Sequence, residues 1–455
     1  MVVGGGISGL AAAYRLRRLL GPSARLTIVE GAAALGGKLS TRSLAGHPHD
    51  VGAEAFLVRR PEARSLVAEL GLAAELVHPT AARASVRFAG RSAPLPPRTL
   101  LGVPAATDGL DAVLSPDGLA RVRAEPHAAP LDWSGSDVAV GPLVARRLGP
   151  EVAARLVDPL LGGVYAGRAD TLGLRPTMPA LAAALDRLAA AGGPVSLSAA
   201  AAAAWNPGAA DGPVFGALRG GMSVLVDALV VAAGAEVRLG LPVRALTRTV
   251  AGWRLELGPV PAPSFLECDA VLLAVPPPAL RRLLTPLLPA AGAAAAGIDV
   301  ASSVIVSLAM PQDVALPNSS GVLVAAGEPL RVKAITYTGS KWPHVDGPVL
   351  RASLGRHGEE STIQADDATL VAAVRADLAE LAGITATPVD AIVSRWGGGL
   401  PQYSVGHLDR VTAIEAGVAS LPCLAVAGAA LHGVGIPACI ATADAAATRL
   451  AAQLS

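Results

Sequence analysis

The chain has 455 residues, 52% of them hydrophobic and 3% aromatic, and a formal net charge of +1. That length makes room for two or three domains with buried cores, and the near-neutral balance excludes a bulk electrostatic partner such as nucleic acid. Cys268, Cys423 and Cys439 stand far apart, so no disulfide framework and no metal site is expected, and a reducing, cytoplasmic compartment is. Apolar stretches are cut by Pro, Gly or charge before they could span a membrane. The chain opens directly on its first motif, which predicts no signal peptide. Peripheral membrane contact stays open.

That motif is Val2-Val3-Gly4-Gly5-Gly6-Ile7-Ser8-Gly9-Leu10. Gly4, Gly6 and Gly9 fit G-x-G-x-x-G, where the first glycine makes the turn, the second lets a pyrophosphate approach and the third packs helix on strand. With 50 glycines in 455 residues, chance alone supplies such a triplet about 0.6 times, so the context decides. Ser8 to Leu20 reads as a helix with Leu10, Ala13, Leu16 and Leu20 on one side, ended by Gly21-Pro22. Arg25 to Val29 reads as a buried parallel strand, and Glu30 follows where an acid can hold ribose hydroxyls. Only Met1, Val2 and Val3 precede the glycines. Either the first strand is unusually short or the natural start lies upstream.

Further along, Leu35-Gly36-Gly37-Lys38 marks a loop passing close to a bound cofactor. Arg42 to Asp50 reads as a hairpin, and Arg64 to Leu70 as a helix. Arg83 to Arg91 reads as another hairpin. Helices are expected over Gly141–Leu148, Glu151–Leu156 and the Ala199–Ala204 run, with a glycine-broken loop over Asp158–Gly167. Gly220-Gly221-Met222 opens a helix, Glu236–Leu239 is a strand, and Pro242–Leu246 pairs with Trp253–Leu257. Ala270–Pro276 is a buried strand. Strands over Ser303–Met310, Gly321–Ala325, Lys333–Thr338 and Val349–Leu354, with a helix over Asp367–Leu381, make a mixed domain. Leu424 to Gly428 is a buried strand, followed by glycines and an Ala-rich helix from Cys439 that can aim its N–H groups at a ligand.

The glycine turn, Glu30, the Leu35-Gly36-Gly37 loop and the hairpin ending in Gly52-Ala53-Glu54-Ala55-Phe56 resemble the opening of the flavin amine oxidase superfamily. The resemblance implies FAD and an α/β fold. Its cofactor domain is Rossmann-like, of the p-hydroxybenzoate hydroxylase/glutathione reductase type, joined by an α+β substrate domain and a helical subdomain. The expected division is 1–77, 216–299 and 395–455 for the FAD-binding domain, 78–215 for the helical subdomain and 300–394 for the substrate domain.

Four more segments resemble one branch, the oxygen-dependent porphyrinogen oxidases of heme synthesis in their bacterial high-GC form. They are Pro159-Leu-Leu-Gly-Gly-Val-Tyr-Ala-Gly167, Gly220-Gly221-Met222, Lys341-Trp342-Pro343 and Pro401-Gln402-Tyr403-x-x-Gly406-His407. Trp396-Gly397-Gly398-Gly399 is richer in glycine than that pattern, so a softer loop is expected there. The resemblance implies oxidation of coproporphyrinogen III to coproporphyrin III with O2, with protoporphyrinogen IX as the alternative. An amine oxidase, a carotenoid desaturase or a flavin-free escort protein of the GDP-dissociation-inhibitor kind are weaker alternatives. Transfer of product to a ferrochelatase stays open.

By residue-wise carry-over, Gly4, Gly6, Ile7, Ser8 and Gly9 cradle the pyrophosphate and Glu30 holds the ribose. Gly36 and Gly37 pass the diphosphate and flavin. Val243 offers its backbone to the adenine, and Gly428, Val434, Gly435 and Ile436 close on the isoalloxazine. Lys38 is either a cation on the substrate and flavin side or an ordinary solvated lysine. His407 and His432 are either bases or hydrogen-bonding structural residues. Arg59, Arg60, Arg83, Arg87, Arg91, Arg168 and Arg175, with Lys38 and Lys333, are the supply from which substrate carboxylates could be held.

Overall fold

The computed structural model describes residues 1–205 and 212–454. Positions 206–211, inside the expected 78–215 segment, and Ser455, the last of the expected 395–455 segment, lie outside the described residues. The chain divides into two compact units: 1–77, 213–300 and 408–455 form the first, 78–212 and 301–407 the second.

The first unit is built on a five-stranded parallel sheet. In chain order its elements are β1 (Val2–Val3), α1 (Ile7–Leu20), β2 (Thr27–Val29), α2 (Ser223–Ala233), β3 (Glu236–Arg238), β4 (Val271–Leu273), α3 (His407–Ala419), β5 (Leu424–Val426) and α4 (Ile436–Leu454). The strands lie in the order β3-β2-β1-β4-β5, the doubly wound arrangement with its switch point beside β1. Two residues suffice for β1 because both its neighbours pair with it, Val2 with Ile28 and Leu272, Val3 with Val29 and Leu273.

Side chains alternate across the sheet. Val2, Ile28, Leu272 and Ala425 face a layer made by Leu10, Ala13 and Leu16 of α1, Leu225 and Leu229 of α2, and Ile440, Ala443, Ala447 and Leu450 of α4. Val3, Val29, Val271 and Leu273 face the opposite layer, with Trp253, Leu255, Leu257, Leu280 and Ile414. Burying each such Val or Leu contributes about 1.5–3 kcal/mol. The second layer includes an antiparallel three-stranded sheet, Val243–Arg248, Trp253–Leu257 and Ser264–Cys268. The tail helix starts at Ile436, three residues before the expected Cys439, with Pro437 in its first turn, where the missing N–H costs nothing.

The second unit carries a seven-stranded sheet in the order Asp390–Pro401, Val300–Ala309, Val349–Leu354, Val332–Thr336, Gly321–Val324, Ala84–Phe88, Arg91–Pro94. Helix Asp367–Ala382 covers one face through Leu370, Val374 and Leu378. Segments 78–215 and 300–394 therefore share one sheet: Ala84–Phe88 pairs in parallel with Gly321–Val324. Residues 395–407 go with this unit and not with the first.

Two local expectations are corrected here. Trp396 to Gly399 is no loop but part of edge strand Asp390–Pro401. At an edge, glycines need not pack on both sides, and the Gly398 N–H donates to Ser302 Oγ at 3.0 Å. Asp158 to Tyr165 is an α-helix, not a loop. Gly162 serves close packing, since a Cβ there would meet the Arg356 guanidinium, whereas at Gly163 a Cβ would make only an ordinary contact, 3.7 Å from Leu323. The helix ends where Ala166 turns left-handed at φ 50°.

Candidate functional site

In the first unit the glycine turn joins β1 to α1. Gly4 has φ +104°, and a Cβ there would run into the Ala274 carbonyl oxygen; one on Gly9 would run into the Gly4 carbonyl oxygen. Gly6 differs, since nothing lies within 4 Å of the position its Cβ would take. Gly4 and Gly9 are thus glycine for the fold, while Gly6 borders open space. Gly6 is also the N-cap of α1, with no side chain capping it and no acid in the first turn. The first turn of α4 has no acid either. Ser8, 6% exposed, lies beside Gly428, whose position places a Cβ 3.7 Å from Ser8 Oγ. The starts of α1 and α4 meet through Ser8 and Cys439, and their positive ends, with no acid in either first turn, suit a diphosphate.

Glu30 ends β2 and turns its carboxylate across the turn. Oε2 accepts the Gly5 N–H at 2.6 Å and Oε1 the Ala32 N–H at 2.7 Å. These bonds orient the acid and leave lone pairs for hydroxyls. The Leu35–Lys38 loop lies against the turn: Gly36 N–H donates to Gly5 O at 2.8 Å, and a Cβ on Gly37 would lie 3.2 Å from Gly6 Cα. Lys38 accepts the Ala53 N–H on its carbonyl at 2.9 Å. Its side chain reaches solvent, yet surrounding protein pulls the ammonium pKa below the usual lysine value, with Cys439 acting the other way. Burial pushes the Cys439 thiol up, against the effects of Ser8 and Lys38. Ser8, Lys38, Gly428 and Cys439 are therefore brought together.

Val243 starts the three-stranded sheet with its side chain buried and its carbonyl accepting from Arg282 at 3.0 Å. Its neighbour Pro242 lies 3.4 Å from the Cβ position of Gly31, next to Glu30. Gly428 has φ +126°, and its N–H donates to Thr442 Oγ1 at 3.0 Å. Val434 accepts from the Cys439 thiol, Gly435 from the Cys439 N–H, and Ile436 is buried in the α1 layer. A group with a diphosphate, a ribose and a flat ring fits these donors and glycine gaps.

Residues outside the motifs lock this region. Asp50 Oδ1 accepts the Thr41 hydroxyl at 2.6 Å and the Met222 N–H at 2.9 Å, and Ser223 N–H donates to Thr41 Oγ1 at 3.0 Å. The Gly220-Gly221-Met222 segment thus clamps the hairpin. A lone Asp gives no such sign in the sequence.

In the second unit the motif segments meet one another. Gln402 Nε2 donates to the Tyr165 carbonyl at 2.8 Å, and Tyr403 contacts the Tyr165 ring at 5.4 Å. His407, fully buried, stacks on Tyr403 at 3.8 Å, which gives it a packing role. Buried Arg356 donates to Asp158 Oδ2 at 3.0 Å, and Asp158 Oδ1 accepts the Ala169 N–H at 3.0 Å. Buried Lys333 donates to Gly355 O at 2.6 Å. Burial and, next, Arg356 pull its pKa down to about 7, against Glu359.

Four of the candidate arginines are paired with carboxylates: Arg60 with Glu62, Arg87 with Glu328 and Glu380, Arg168 with Glu359, Arg175 with Asp186. Arg91 lies over the Phe88 ring, while Arg59 and Arg83 are exposed. His432 is turned to Glu415 at 2.8 Å. The three cysteines are free, and no group of metal-ligating side chains occurs among the described residues.

Comparison with known proteins gives the family. The family model for flavin containing amine oxidoreductase matches residues 7–451. A coproporphyrinogen III oxidase of Mycobacterium tuberculosis is 46% identical over 451 residues, 98% of this chain and 96% of the relative. A protoporphyrinogen oxidase of Bos taurus is 31% identical, covering 99% of this chain and 98% of its own. A crystal structure from Exiguobacterium sp. 255-15, provisionally named a protoporphyrinogen oxidase, superposes with a TM-score of 0.86 at 30% identity, covering 99% and 98% of the two chains. The chain therefore belongs to the flavin amine oxidase superfamily, in its coproporphyrinogen/protoporphyrinogen oxidase family, as an FAD-dependent oxidoreductase that acts on a porphyrinogen with O2.

Proposed function

We propose that the substrate is coproporphyrinogen III and the product coproporphyrin III. Six electrons leave the macrocycle in three two-electron steps, and three O2 are reduced to three H2O2. The observation that carries this reading is 46% identity, over 98% of the chain, to a relative named for coproporphyrinogen III. Relatives of the same name from Propionibacterium freudenreichii and Bacillus subtilis, at 35% and 29% identity, support it. Protoporphyrinogen IX, the substrate in the name of the bovine relative, is the second reading.

FAD, when bound, accepts the electrons of each step and passes them to O2. The chain's own part is to hold and orient it. The N–H groups of Gly6, Ile7, Ser8 and Gly9 serve the diphosphate, Glu30 the ribose and the Val243 backbone the adenine. Gly36 and Gly37 leave room for the diphosphate and flavin. Gly428, Val434, Gly435 and Ile436 close on the ring, and Lys38 supplies a positive charge on the flavin and substrate side. Segments 1–77, 216–299 and the tail from 408 act as the FAD-binding domain. Action in the cytoplasm, peripheral membrane contact and delivery to a ferrochelatase belong to the same reading; no helix among the described residues is long and apolar enough to cross a membrane.

The test is turnover by the yellow holoenzyme in air with each porphyrinogen, followed by porphyrin fluorescence. Faster oxidation of coproporphyrinogen III is expected. Faster oxidation of protoporphyrinogen IX at matched concentration overturns the substrate assignment, and no acceleration over autoxidation with either overturns the chemistry.

A further inference from the structure

The first unit has a groove that shares no residue with the glycine turn, Glu30 or the Leu35–Lys38 loop. It lies where edge strand β5 runs between α3 and α4, and its volume is about 550 Å3, inside the range of small-molecule sites, about 300–1,000 Å3. Ala438, Ala441, Ala445 and Ala446 of α4 form one wall. Ala441 and Ala445 are on the face of α4 turned away from Ile440, Ala443 and Ala447, which pack in the α1 layer. Methyl side chains leave a wide, shallow, apolar trough.

Its rim is cationic. Arg449 donates through Nη2 to the Val418 and Leu424 carbonyls at 3.0 and 2.8 Å, and among the described residues no carboxylate pairs with it. Arg60 lines the groove while its partner Glu62 does not. His432 lines it too, and its bond to Glu415 keeps its pKa raised. The lining holds two arginines and a protonatable histidine against the single acid Glu415. An apolar floor under such a rim suits a flat apolar body that carries carboxylates, and arginine binds carboxylates by paired hydrogen bonds.

We propose that this groove is a second binding site, for the porphyrin polycarboxylate that the enzyme releases. This rests on the proposed reaction, which produces a planar apolar ring bearing four propionates. The macrocycle lies on the alanine wall, and its propionates meet Arg449 and Arg60. The groove takes up product, and no chemistry occurs there.

The test is a titration of the FAD-loaded enzyme with coproporphyrin III, followed by fluorescence anisotropy, in wild type and in two variants. Ala445→Glu puts a carboxylate on an exposed helix position of the trough, and Arg449→Gln removes the cation of its rim. Two bound equivalents are expected for wild type. Each variant should bind one of them at least tenfold more weakly, with unchanged FAD content and unchanged KM for the porphyrinogen. A single equivalent in wild type, or two equivalents of unchanged affinity in Ala445→Glu, overturns the site. Displacement of the second equivalent by palmitate at lower concentration than by coproporphyrin III overturns the ligand class in favour of a fatty carboxylate. Failure of the substrate reading appears separately, as absent or reversed turnover preference.

Discussion

Gly9 of the first unit and Gly162 of the second both sit inside helices, and both are there for want of space, but the obstacle differs. At Gly9 a Cβ would meet the backbone carbonyl of Gly4; at Gly162 it would meet the guanidinium of Arg356. A backbone turn held between two strands cannot yield, whereas a side chain can move at the cost of its partner. The first unit uses Gly9 to let its helix close on a backbone turn, and the second uses Gly162 to admit a buried ion pair. Two ion pairs offer the same kind of contrast: Arg356–Asp158 of the second unit is buried, while His432–Glu415 of the first is half exposed.

The largest expected effect is from Gly9→Ala, which should cost about 4 kcal/mol or more because neither α1 nor β1 can shift without losing sheet contacts. Purified yield of yellow protein and thermal unfolding report it; wild-type Tm in this variant would break the contrast. Arg356→Met leaves Asp158 buried without its cation and should cost about 3–5 kcal/mol in urea unfolding. Adding Asp158→Asn should restore most of that, and Gly162→Ala should mimic the loss in part. Equal effects of the single and double variants would show that the pair is not the reason for the glycine.

Glu125 gives the pH arm. Burial works against its ionisation, but the Ser196 hydroxyl and the Ser198 and Leu197 N–H groups hold its pKa at about 2, against an ordinary 4.5. Its contribution, on the order of 3 kcal/mol, is present above the ordinary value and lost as pH falls towards about 2. Glu125→Gln should therefore be less stable at pH 7, and its Tm should converge on that of wild type below about pH 3. A gap that is constant with pH would deny the charge its part.

His432–Glu415 is the exposed counterpart. The folded-state pKa of His432 is raised by the Glu415 bond first, with burial opposing, so the stabilisation is full below the ordinary value and lost as pH rises through the folded one. A double-mutant cycle with His432→Asn and Glu415→Gln should give less than about 1 kcal/mol at pH 6 and nothing at pH 9. The smallest effect on stability is expected at Gly6. Gly6→Ala should leave the Tm of the FAD-free protein unchanged, since its Cβ enters open space, yet it should lower FAD affinity at least tenfold by equilibrium titration. Unchanged affinity would mean that Gly6 does not face the cofactor.

Much of the first unit was legible because its signals are local. Turn, helix, strand and acid follow one another from Val2 to Glu30, and the structure puts them in the central strands of a 3-2-1-4-5 sheet. Local pattern failed where glycine had a remote reason. The runs at Gly162 and at Gly397 to Gly399 read as loops, and they are a helix packed on Arg356 and an edge strand. Asp158 and Arg356 are 198 positions apart, and Asp50 meets Met222 across 172; no periodicity links such residues.

The sequence by itself determined the glycine turn between β1 and α1, the place of Glu30 just after β2, the family and FAD, because each depends on residues close together or on whole motifs carried intact. Only the tertiary structure decided that residues 395–407 belong to the second unit, that four candidate arginines are paired with carboxylates, that His407 stacks on Tyr403, and that Arg449 lines a groove. The reason is physical. Conformational preference acts over a few residues, whereas burial and charge pairing are settled by whichever distant side chain the fold brings within about 4 Å.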